Sequence, residues 1–488
     1  MPKNIWPRVF SLTSIFIKEQ LKEPIAFFWI MISPCAMFYF LATTRQDPNY
    51  FSSNYITISA WFYAYISSSV ALFGFAFYII GRRESGFTRS FIYSRESKLI
   101  FLLSHFIAYS LISISYCATF YLTTKLPFGN YALNDLLNIA LRFYICFIMF
   151  CTFGAAFSLL PINFQNSNTL LSIFSFCMLI LGVMSASRSN PITDALNLVN
   201  PLTLASQIIE QGLESNKLIT TAIIILFIYF STAQNVQAPK NQSRMEPILM
   251  KKFTAQSIDF SYTDKPLLTQ ASLEIVQGDI VGILGPNGSG KTTFFDIVCD
   301  LKKTKSGFIK NDFSHFLYLS QIISTPPPLR MRDIFKMVTA LSSSEPMTQD
   351  KTLKKLSAWS PAIVDRYQDI WNKKSSLCSY GETRWFFTLS LLSISADFVI
   401  LDEPTAGVDP EFRSYIWQCL HGAAREGTAI LVSSHNVDEV INHCDYFYMI
   451  SQQRFNRFAN GSEFMHRYGV KTVDDAFIRA VTEPVFTA

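Results

Sequence analysis

Six apolar stretches, each near the length of a membrane-spanning helix, follow one another in the first half of the chain. A helix needs about 20 apolar residues to cross a bilayer. Buried helices of a soluble protein are the alternative, but charged residues make up only 16% of the chain and are rare in these stretches. We therefore predict six membrane-spanning helices at residues 25–42, 56–80, 99–123, 137–160, 168–187 and 218–233.

The lysine and arginine residues between these stretches indicate how the chain is oriented. With the N-terminus inside, the inner connections carry 13 of them and the outer connections carry 4. The positive-inside rule therefore places the N-terminus in the cytoplasm, and an even number of spans returns the second half there. The first 24 residues lack the early apolar core of a signal peptide and fit an interfacial helix. We predict an all-α transmembrane domain at 1–233, a linker at 234–250 and a soluble domain at 251–488.

A glycine-rich stretch, GPNGSGKTT at residues 285–293, lies between a strand-like apolar run and a helix-like run. Its glycines permit a tight turn, so that backbone N–H groups and the helix N-terminus point at phosphate oxygens. Lys291 adds a cation for the β- and γ-phosphates, and the Thr292 hydroxyl can ligate Mg²⁺. A turn without a ligand is the alternative, which the complete G-x-x-x-x-G-K-T pattern disfavours. We predict a nucleoside triphosphate site at Gly285, Asn287, Gly288, Ser289, Gly290, Lys291, Thr292 and Thr293.

Two adjacent carboxylates end the apolar run ADFVILDEP at residues 396–404. Asp402 would close a strand and hold Mg²⁺ through water, and Glu403 would polarise a water aimed at the γ-phosphate. Neighbouring acids can also simply cap a turn. Because a phosphate-binding loop is present, we interpret Glu403 as a catalytic residue and Asp402 as a metal ligand.

With these motifs, the second half resembles the nucleotide-binding domain of ABC transporters over roughly residues 250–450. Tyr262 stands where that family has the aromatic residue that stacks on adenine. Gln321 stands where it has the glutamine that senses Mg²⁺ and the membrane domain, and His435 stands where it has the catalytic switch histidine. The resemblance implies an α/β P-loop ATPase fold with ATP and Mg²⁺ as cofactors.

The resemblance also implies that one domain forms only half of an ATP site. LCSYGE at residues 377–382 stands where the family signature LSGGQ belongs, and Tyr380 replaces its first glycine. By the resemblance, Ser379, Gly381 and Glu382, the last in place of the usual glutamine, face the γ-phosphate bound to the opposite subunit. Asp409 matches the loop that crosses the dimer interface. A homodimer is the simplest partnership, and a related heterodimer is the alternative.

The first half resembles the six-span membrane domain of the exporter class that includes polysaccharide, teichoic-acid, drug and sterol transporters. The similar segments are residues 17–34, 81–100 and 196–212. The second resembles the family's coupling segment, and there we expect Glu84 to pair with a basic group near Gln321. His105 and Arg142 lie within predicted spans, where we expect snorkelling or helix–helix hydrogen bonds.

These features predict an ATP-driven exporter in the cytoplasmic membrane that moves a small amphipathic compound, peptide or antibiotic. Export of a polysaccharide or lipid-linked glycan is one alternative, and an ABC ATPase that drives a membrane partner without transport is another. Nine cysteines without a C-x-x-C pair disfavour a zinc site or a disulfide framework. A formal net charge of +5 without a dense basic patch disfavours nucleic acid as a partner.

Overall fold

A computed structural model of the protein describes residues 5–44, 54–92, 94–125, 131–160, 163–187, 191–212, 250–322, 324–343, 345 and 347–482. The chain divides into two compact units. The helical unit contains residues 13–84 and 102–243, and the α/β unit contains residues 1–12, 85–101 and 244–488. The predicted last span at 218–233 and nearly all of the predicted linker lie outside the described residues.

The prediction of an apolar, α-helical first half is confirmed. Among the described residues, five helices are long and apolar enough to cross a membrane: Pro24–Thr43, Tyr55–Glu84, Arg95–Lys125, Leu133–Ser158 and Phe164–Gly182. The first two contain π-helical segments at Phe28–Ile32 and Val70–Ala76. The other helices of the first half are Trp6–Leu21, Phe87–Phe91, Pro191–Leu198 and Pro201–Gln211, and the fifth long helix continues to Ser187.

Small residues and aromatic rings pack the helical unit. A Cβ atom added at Gly154 would lie 2.7 Å from the Cβ of Ala76, so only glycine allows these helices to approach this closely. Phe120 makes edge-to-face contacts with Tyr63 and Phe38, with ring centroids 4.9 and 5.9 Å apart. Such contacts favour specific helix pairings in an environment where burial alone does not.

Two polar residues of the predicted spans form hydrogen bonds between helices. His105 Nε2 lies 2.9 Å from the carbonyl oxygen of Phe75. Arg142 Nη1 donates to the carbonyl oxygens of Ile209 and Glu210 at 2.8 and 3.0 Å, which satisfies the end of the helix Pro201–Gln211. For both residues the structure favours helix–helix contact over snorkelling.

The α/β unit is built on two sheets. A three-stranded antiparallel sheet has the order β2-β1-β4, and a six-stranded sheet has the order β5-β6-β7-β3-β8-β9, which is parallel except for β9. The strands are β1 Lys252–Ser261, β2 Pro266–Val276, β3 Ile280–Leu284, β4 Ser306–Asn311, β5 Phe316–Leu319, β6 Phe398–Asp402, β7 Ala429–Ser433, β8 Tyr446–Ser451 and β9 Arg454–Phe458.

Helices and the three-stranded sheet cover the six-stranded sheet, as the apolar sequences of its central strands require. Every residue of β3, β6 and β7 is buried, so both faces of the sheet are covered. Ligands of open parallel sheets bind beyond the carboxyl ends of the strands. The helices are Lys291–Val298, Met331–Ser342, Gln349–Trp359, Ile363–Trp371, Tyr380–Ser393, Pro410–Arg425, Val437–His443, Gly461–Tyr468 and Val473–Thr482.

Candidate nucleotide-binding site

The glycine-rich loop joins the end of β3 to the helix Lys291–Val298. Gly288 and Gly290 have φ angles of +82° and +106°, which side chains with a Cβ atom rarely adopt. Lys291 Nζ donates to the carbonyl oxygens of Gly285 and Pro286 at 2.7 and 3.2 Å, so its ammonium group lies against the loop. Burial lowers the pKa of Lys291, and the carboxylates of Glu403 and Asp402 partly oppose this shift. The loop thus combines a buried cation with a helix N-terminus.

Asp402 lies at the end of β6, next to the start of the same helix. Its two carboxylate oxygens accept hydrogen bonds of 2.6 Å from the hydroxyls of Thr292 and Ser433. Burial raises the pKa of Asp402, and the two hydroxyls oppose this. Oxygen ligands of this kind suit Mg²⁺. The structure therefore brings together two of the predicted metal ligands, Thr292 and Asp402.

Gln321, the third predicted metal ligand, contacts Glu403 instead. Its Nε2 donates to Glu403 Oε2 at 2.9 Å, and His435 Nδ1 lies 3.4 Å from the same oxygen. The Glu403 side chain is only 8% exposed. Its backbone has a φ of +52°, an unusual conformation for a residue with a side chain, and its N–H donates to Ser433 Oγ at 3.0 Å. Both predicted catalytic residues therefore meet at one buried carboxylate oxygen.

Tyr262 and the loop are joined through Thr293. The Tyr262 hydroxyl lies 3.0 Å from Thr293 Oγ1, and the tyrosine is 63% exposed. Lys302 donates a hydrogen bond to this hydroxyl and holds its ammonium group 4.4 Å from the ring centroid. An exposed aromatic ring near the phosphate loop is suited to stacking on a base.

Comparisons with known proteins agree with this arrangement. The protein-family model described as "ABC transporter" matches residues 268–406. Protein McbE of Escherichia coli is 32% identical over 208 residues, which are 42% of this chain and 85% of that protein. The chain belongs to the ABC transporter family. Its second half is an ATP-binding cassette, and its activity is ATP hydrolysis coupled to transport.

Two further relatives show how widely this cassette is used. Protein McbF of Escherichia coli is 29% identical over 216 residues, which are 43% of this chain and 86% of that protein. The lipopolysaccharide export system ATP-binding protein LptB of Haemophilus influenzae is 27% identical over 233 residues, which are 46% of this chain and 97% of LptB.

The signature of this ABC transporter lies at the start of the helix Tyr380–Ser393. Ser379 Oγ accepts a hydrogen bond of 3.1 Å from the Glu382 N–H, and Glu382 Oε2 accepts one of 2.7 Å from the Ser379 N–H. Lys373 Nζ lies 2.9 Å from the same carboxylate and lowers the pKa of Glu382 together with these bonds, against the effect of burial. A Cβ atom at Gly381 would lie 2.6 Å from the carbonyl oxygen of Gly407.

In the part of the chain that the structure describes, no hydrogen bond joins Ser379, Gly381, Glu382 or Asp409 to the side chains of Gln321, Glu403 or His435. Within the described residues, the hydrogen bonds of Ser379 and Glu382 run to each other and to neighbours in the chain. Asp409 is exposed at the start of the helix Pro410–Arg425, where its carbonyl oxygen accepts from the Arg413 N–H at 2.8 Å. Of these four predicted ATP-contacting positions, Ser379 and Asp409 are exposed, Glu382 is partly exposed and Gly381 is buried.

Arg384 is a residue of this site that the sequence did not reveal. It is 4% exposed, and its guanidinium donates to the carbonyl oxygens of Ser320 and Gln321 at 2.6 and 2.9 Å and also to that of Asp402. It thus ties the signature helix to the ends of β5 and β6. A basic residue within an apolar helix was the available signal.

A short segment of the first half belongs to the α/β unit and contacts this site. We call residues 85–92 the docking segment. Arg89 Nη2 lies 2.9 Å from Asp296 Oδ2 in the helix that follows the phosphate loop. Ser90 Oγ lies 2.8 Å from Ser320 Oγ, and the residue after Ser320 is Gln321. The docking segment thus contacts both the phosphate-side helix and the residue that precedes Gln321.

The pairing of Glu84 with a basic group near Gln321 would join the two units and stays a prediction. Within the helical unit, Glu84 Oε2 accepts a hydrogen bond from the backbone N–H of Phe164. Gly86 begins the helix Phe87–Phe91 with a φ of +74°, and a Cβ atom there would lie 2.0 Å from the Ile322 carbonyl oxygen. The segment can therefore approach the cassette because of Gly86, and its ionic contact comes from Arg89.

Proposed function

We propose that this chain is half of an ATP-driven exporter in the cytoplasmic membrane, that it works as a homodimer, and that it moves a small amphipathic compound, peptide or antibiotic outward. The observation that carries this proposal is the cluster of Gln321, Glu403 and His435 beside the phosphate loop, in a unit that also contains the docking segment. A segment from the apolar half of the chain thus contacts Ser320, the residue before Gln321 of this cluster.

The phosphate side of the site supports binding of ATP with Mg²⁺. The backbone N–H groups of the loop and the ammonium group of Lys291 would hold the phosphates. Thr292 Oγ1 and Asp402 Oδ2, which now share a hydrogen bond of 2.6 Å, would hold Mg²⁺, which offsets the negative charge of the phosphates during transfer. The hydroxyl of Ser433 would keep the Asp402 carboxylate in place.

Glu403 is our proposed catalytic residue for hydrolysis. Its carboxylate oxygen lies between Gln321 Nε2 and His435 Nδ1. A water that donates a hydrogen bond to this oxygen would be oriented for attack on the γ-phosphate. The carboxylate would act as the general base for that water. His435, whose side chain is 62% exposed, is free to turn toward the nucleotide.

The exposure of Ser379 and Asp409 supports the homodimer. Ser379 is exposed at the start of the signature helix and Asp409 is exposed, whereas Gly381 is buried. A second copy that faces this surface would bring its bound ATP to the signature. Two identical sites would then form around a twofold axis, which a heterodimer could imitate only with a related chain.

The direction of transport and the substrate class are proposed from one relative and from the composition of the apolar helices. The name of the relative LptB assigns it to a system that exports lipopolysaccharide, an amphipathic glycolipid. Export of an amphipathic molecule is consistent with the aromatic and hydroxyl-rich helices of the first half. Because of this relative, a lipid-linked glycan is retained as the second candidate substrate.

Transport into inverted membrane vesicles tests the proposal. ATP-dependent accumulation of an amphipathic peptide or antibiotic inside such vesicles corresponds to export, and Glu403→Gln should abolish it. Vesicles of native orientation should not accumulate the compound. Accumulation of a lipid-linked glycan alone would select the second candidate, and accumulation in native vesicles alone would contradict export.

A further inference from the structure

A line of charged side chains connects the docking segment to the ring on which the base would stack. Asp296 Oδ2 lies 2.9 Å from Arg89 Nη2 and 3.3 Å from Lys302 Nζ. The Asp296 side chain is only 1% exposed, whereas Arg89 and Lys302 are 40% and 26% exposed. Arg89 and Lys302 therefore share one buried carboxylate as their charge partner. The free energy of a buried charge depends strongly on the opposite charges that bind it.

Lys302 also contacts the side chain of Tyr262. Its ammonium group donates to the Tyr262 hydroxyl and lies 4.4 Å from the ring centroid, within the range of a cation–π contact. A base that stacks on that face must displace the ammonium group. The strength with which Asp296 holds Lys302 therefore affects how easily a base can bind.

Arg89 changes that strength. With Arg89 present, the charge of Asp296 is divided between two cations that bind the same oxygen. Without Arg89, Lys302 alone would balance a buried carboxylate and would be held more firmly over the ring. The other oxygen, Oδ1, is buried and has no hydrogen-bond partner among the described residues. The negative charge of Asp296 is therefore balanced mainly by the two cations at Oδ2.

We propose that Asp296 and Lys302 are positioning residues that couple contact of the docking segment to binding of the adenine base at Tyr262. The proposal rests on the base-stacking role given to Tyr262 above. When Arg89 binds Asp296, Lys302 leaves the ring more readily and ATP binds more tightly. By linkage, bound ATP strengthens the contact of the docking segment by the same factor.

Two ligands separate this coupling from general effects on the phosphate site. Titrations of the full-length protein in lipid nanodiscs with Mg²⁺ would compare ATP with inorganic tripolyphosphate, which has the phosphates but no base. We expect Arg89→Met to weaken ATP binding about fivefold, the lower end of ordinary allosteric coupling, and to leave tripolyphosphate binding unchanged. Arg95→Met, at an exposed basic residue of the same unit, is the matched control and should change neither.

A double-mutant cycle tests whether Lys302 transmits the effect. Lys302→Met should not weaken ATP binding, and in its presence Arg89→Met should have no further effect. Unchanged or tighter ATP binding in Arg89→Met, an equal loss for tripolyphosphate, or a full effect of Arg89→Met without Lys302 would each overturn the coupling. Both variants keep the buried Asp296, so neither substitution changes a residue of the buried core.

A third variant distinguishes failure of the coupling from failure of the base site. Tyr262→Ala should weaken ATP binding about tenfold, as loss of base stacking does, without weakening tripolyphosphate binding. If it does so and Arg89→Met has no effect on ATP, only the coupling is wrong. If Tyr262→Ala affects both ligands equally, the base-stacking role is wrong, and the coupling falls with it.

Discussion

The two helix N-termini proposed to face phosphate differ in how their N–H groups are used. The helix Lys291–Val298 begins at Gly290, and no side chain caps it. The helix Tyr380–Ser393 begins at Ser379, which forms a complete capping box with Glu382. The first helix start leaves its N–H groups for an external anion, whereas at the second the Ser379 hydroxyl accepts from the Glu382 N–H and the Glu382 carboxylate accepts from the Ser379 N–H.

This difference gives the two ends unequal charge. At the phosphate loop the ammonium group of Lys291 donates to loop carbonyl oxygens and forms no direct ion pair within the described residues, while the Asp402 carboxylate accepts from the Thr292 hydroxyl. At the signature the carboxylate of Glu382 is bound by Lys373, so the two charges cancel. We infer that the phosphate loop supplies most of the affinity for ATP. The signature would add a weaker contact with phosphate, because the charge of Glu382 and the bulk of Tyr380 oppose it.

The largest expected effect is on the chemical step, which the comparison assigns to the phosphate side. Glu403→Gln should lower the ATPase kcat by roughly 10²–10⁴-fold, the contribution of a general base. It should leave ATP binding intact because Glu403 does not hold the loop. Steady-state ATPase assays and ATP titrations would measure both quantities. Glu463→Gln, at an acid outside this cluster whose side chain is 40% exposed, is the control, and near-normal hydrolysis in Glu403→Gln would contradict the assignment.

The second prediction compares how much Lys291 and Lys373 contribute to ATP binding. Lys291→Ala should weaken ATP binding by roughly 10- to 100-fold, since it removes a charge-assisted hydrogen bond to phosphate. Lys373→Ala should leave ATP binding by the separate cassette nearly unchanged, because Lys373 serves Glu382. Equilibrium binding under conditions that prevent hydrolysis would compare them. Equal losses in the two variants would break the proposed distinction.

The features predicted best from sequence are those in which neighbouring residues determine the structure. The phosphate loop depends on glycines at Gly288 and Gly290, whose positive φ angles need no distant partner. The strand ending in Asp402 could be predicted because a continuous apolar run indicates burial on both faces. Local chemistry was sufficient at these positions.

The contacts of the docking segment could not be predicted, because they join residues far apart in the chain. Arg89 and Asp296 are separated by 207 positions, and nothing in either neighbourhood indicates the other. The Glu84 carboxylate accepts from the Phe164 N–H, 80 positions away, and nothing near either residue in the sequence indicates this bond. The π-helical segment Val70–Ala76 likewise has no recognised sequence signal, since it depends on packing around it.

The third prediction concerns the bulk at the signature. The Tyr380 ring lies against Gly407, and its hydroxyl donates to the Gln321 carbonyl oxygen at 3.4 Å. If this side chain crowds the phosphate that approaches from the second copy, Tyr380→Gly should preserve ATPase activity or raise it by up to about fivefold, the equivalent of about 1 kcal/mol of steric strain. ATPase assays on the reconstituted protein would measure this. Complete loss of activity would mean that the tyrosine makes a required contact.

The smallest effect separates the charge of Glu382 from its capping role. Glutamine can replace glutamate in a capping box, so Glu382→Gln should keep the hydrogen bonds to Ser379 while it removes a negative charge. Because Lys373 already balances that charge, we expect only a roughly two- to fivefold rise in ATPase activity, within the energy of an exposed ion pair.

The ion pair between Glu382 and Lys373 depends on pH, and a matched variant tests it. The folded state lowers the pKa of Glu382, so its ion pair stabilises the protein above the ordinary pKa of a glutamate and is lost as pH falls through the lowered value. At neutral pH the carboxylate is therefore charged, and Lys373→Met should leave it unbalanced and reduce ATPase activity. In the Glu382→Gln background the same Lys373→Met change should have little effect. Additive effects of the two substitutions would show that the signature acid and Lys373 act separately, and the proposed balance of charge at this helix would then be wrong.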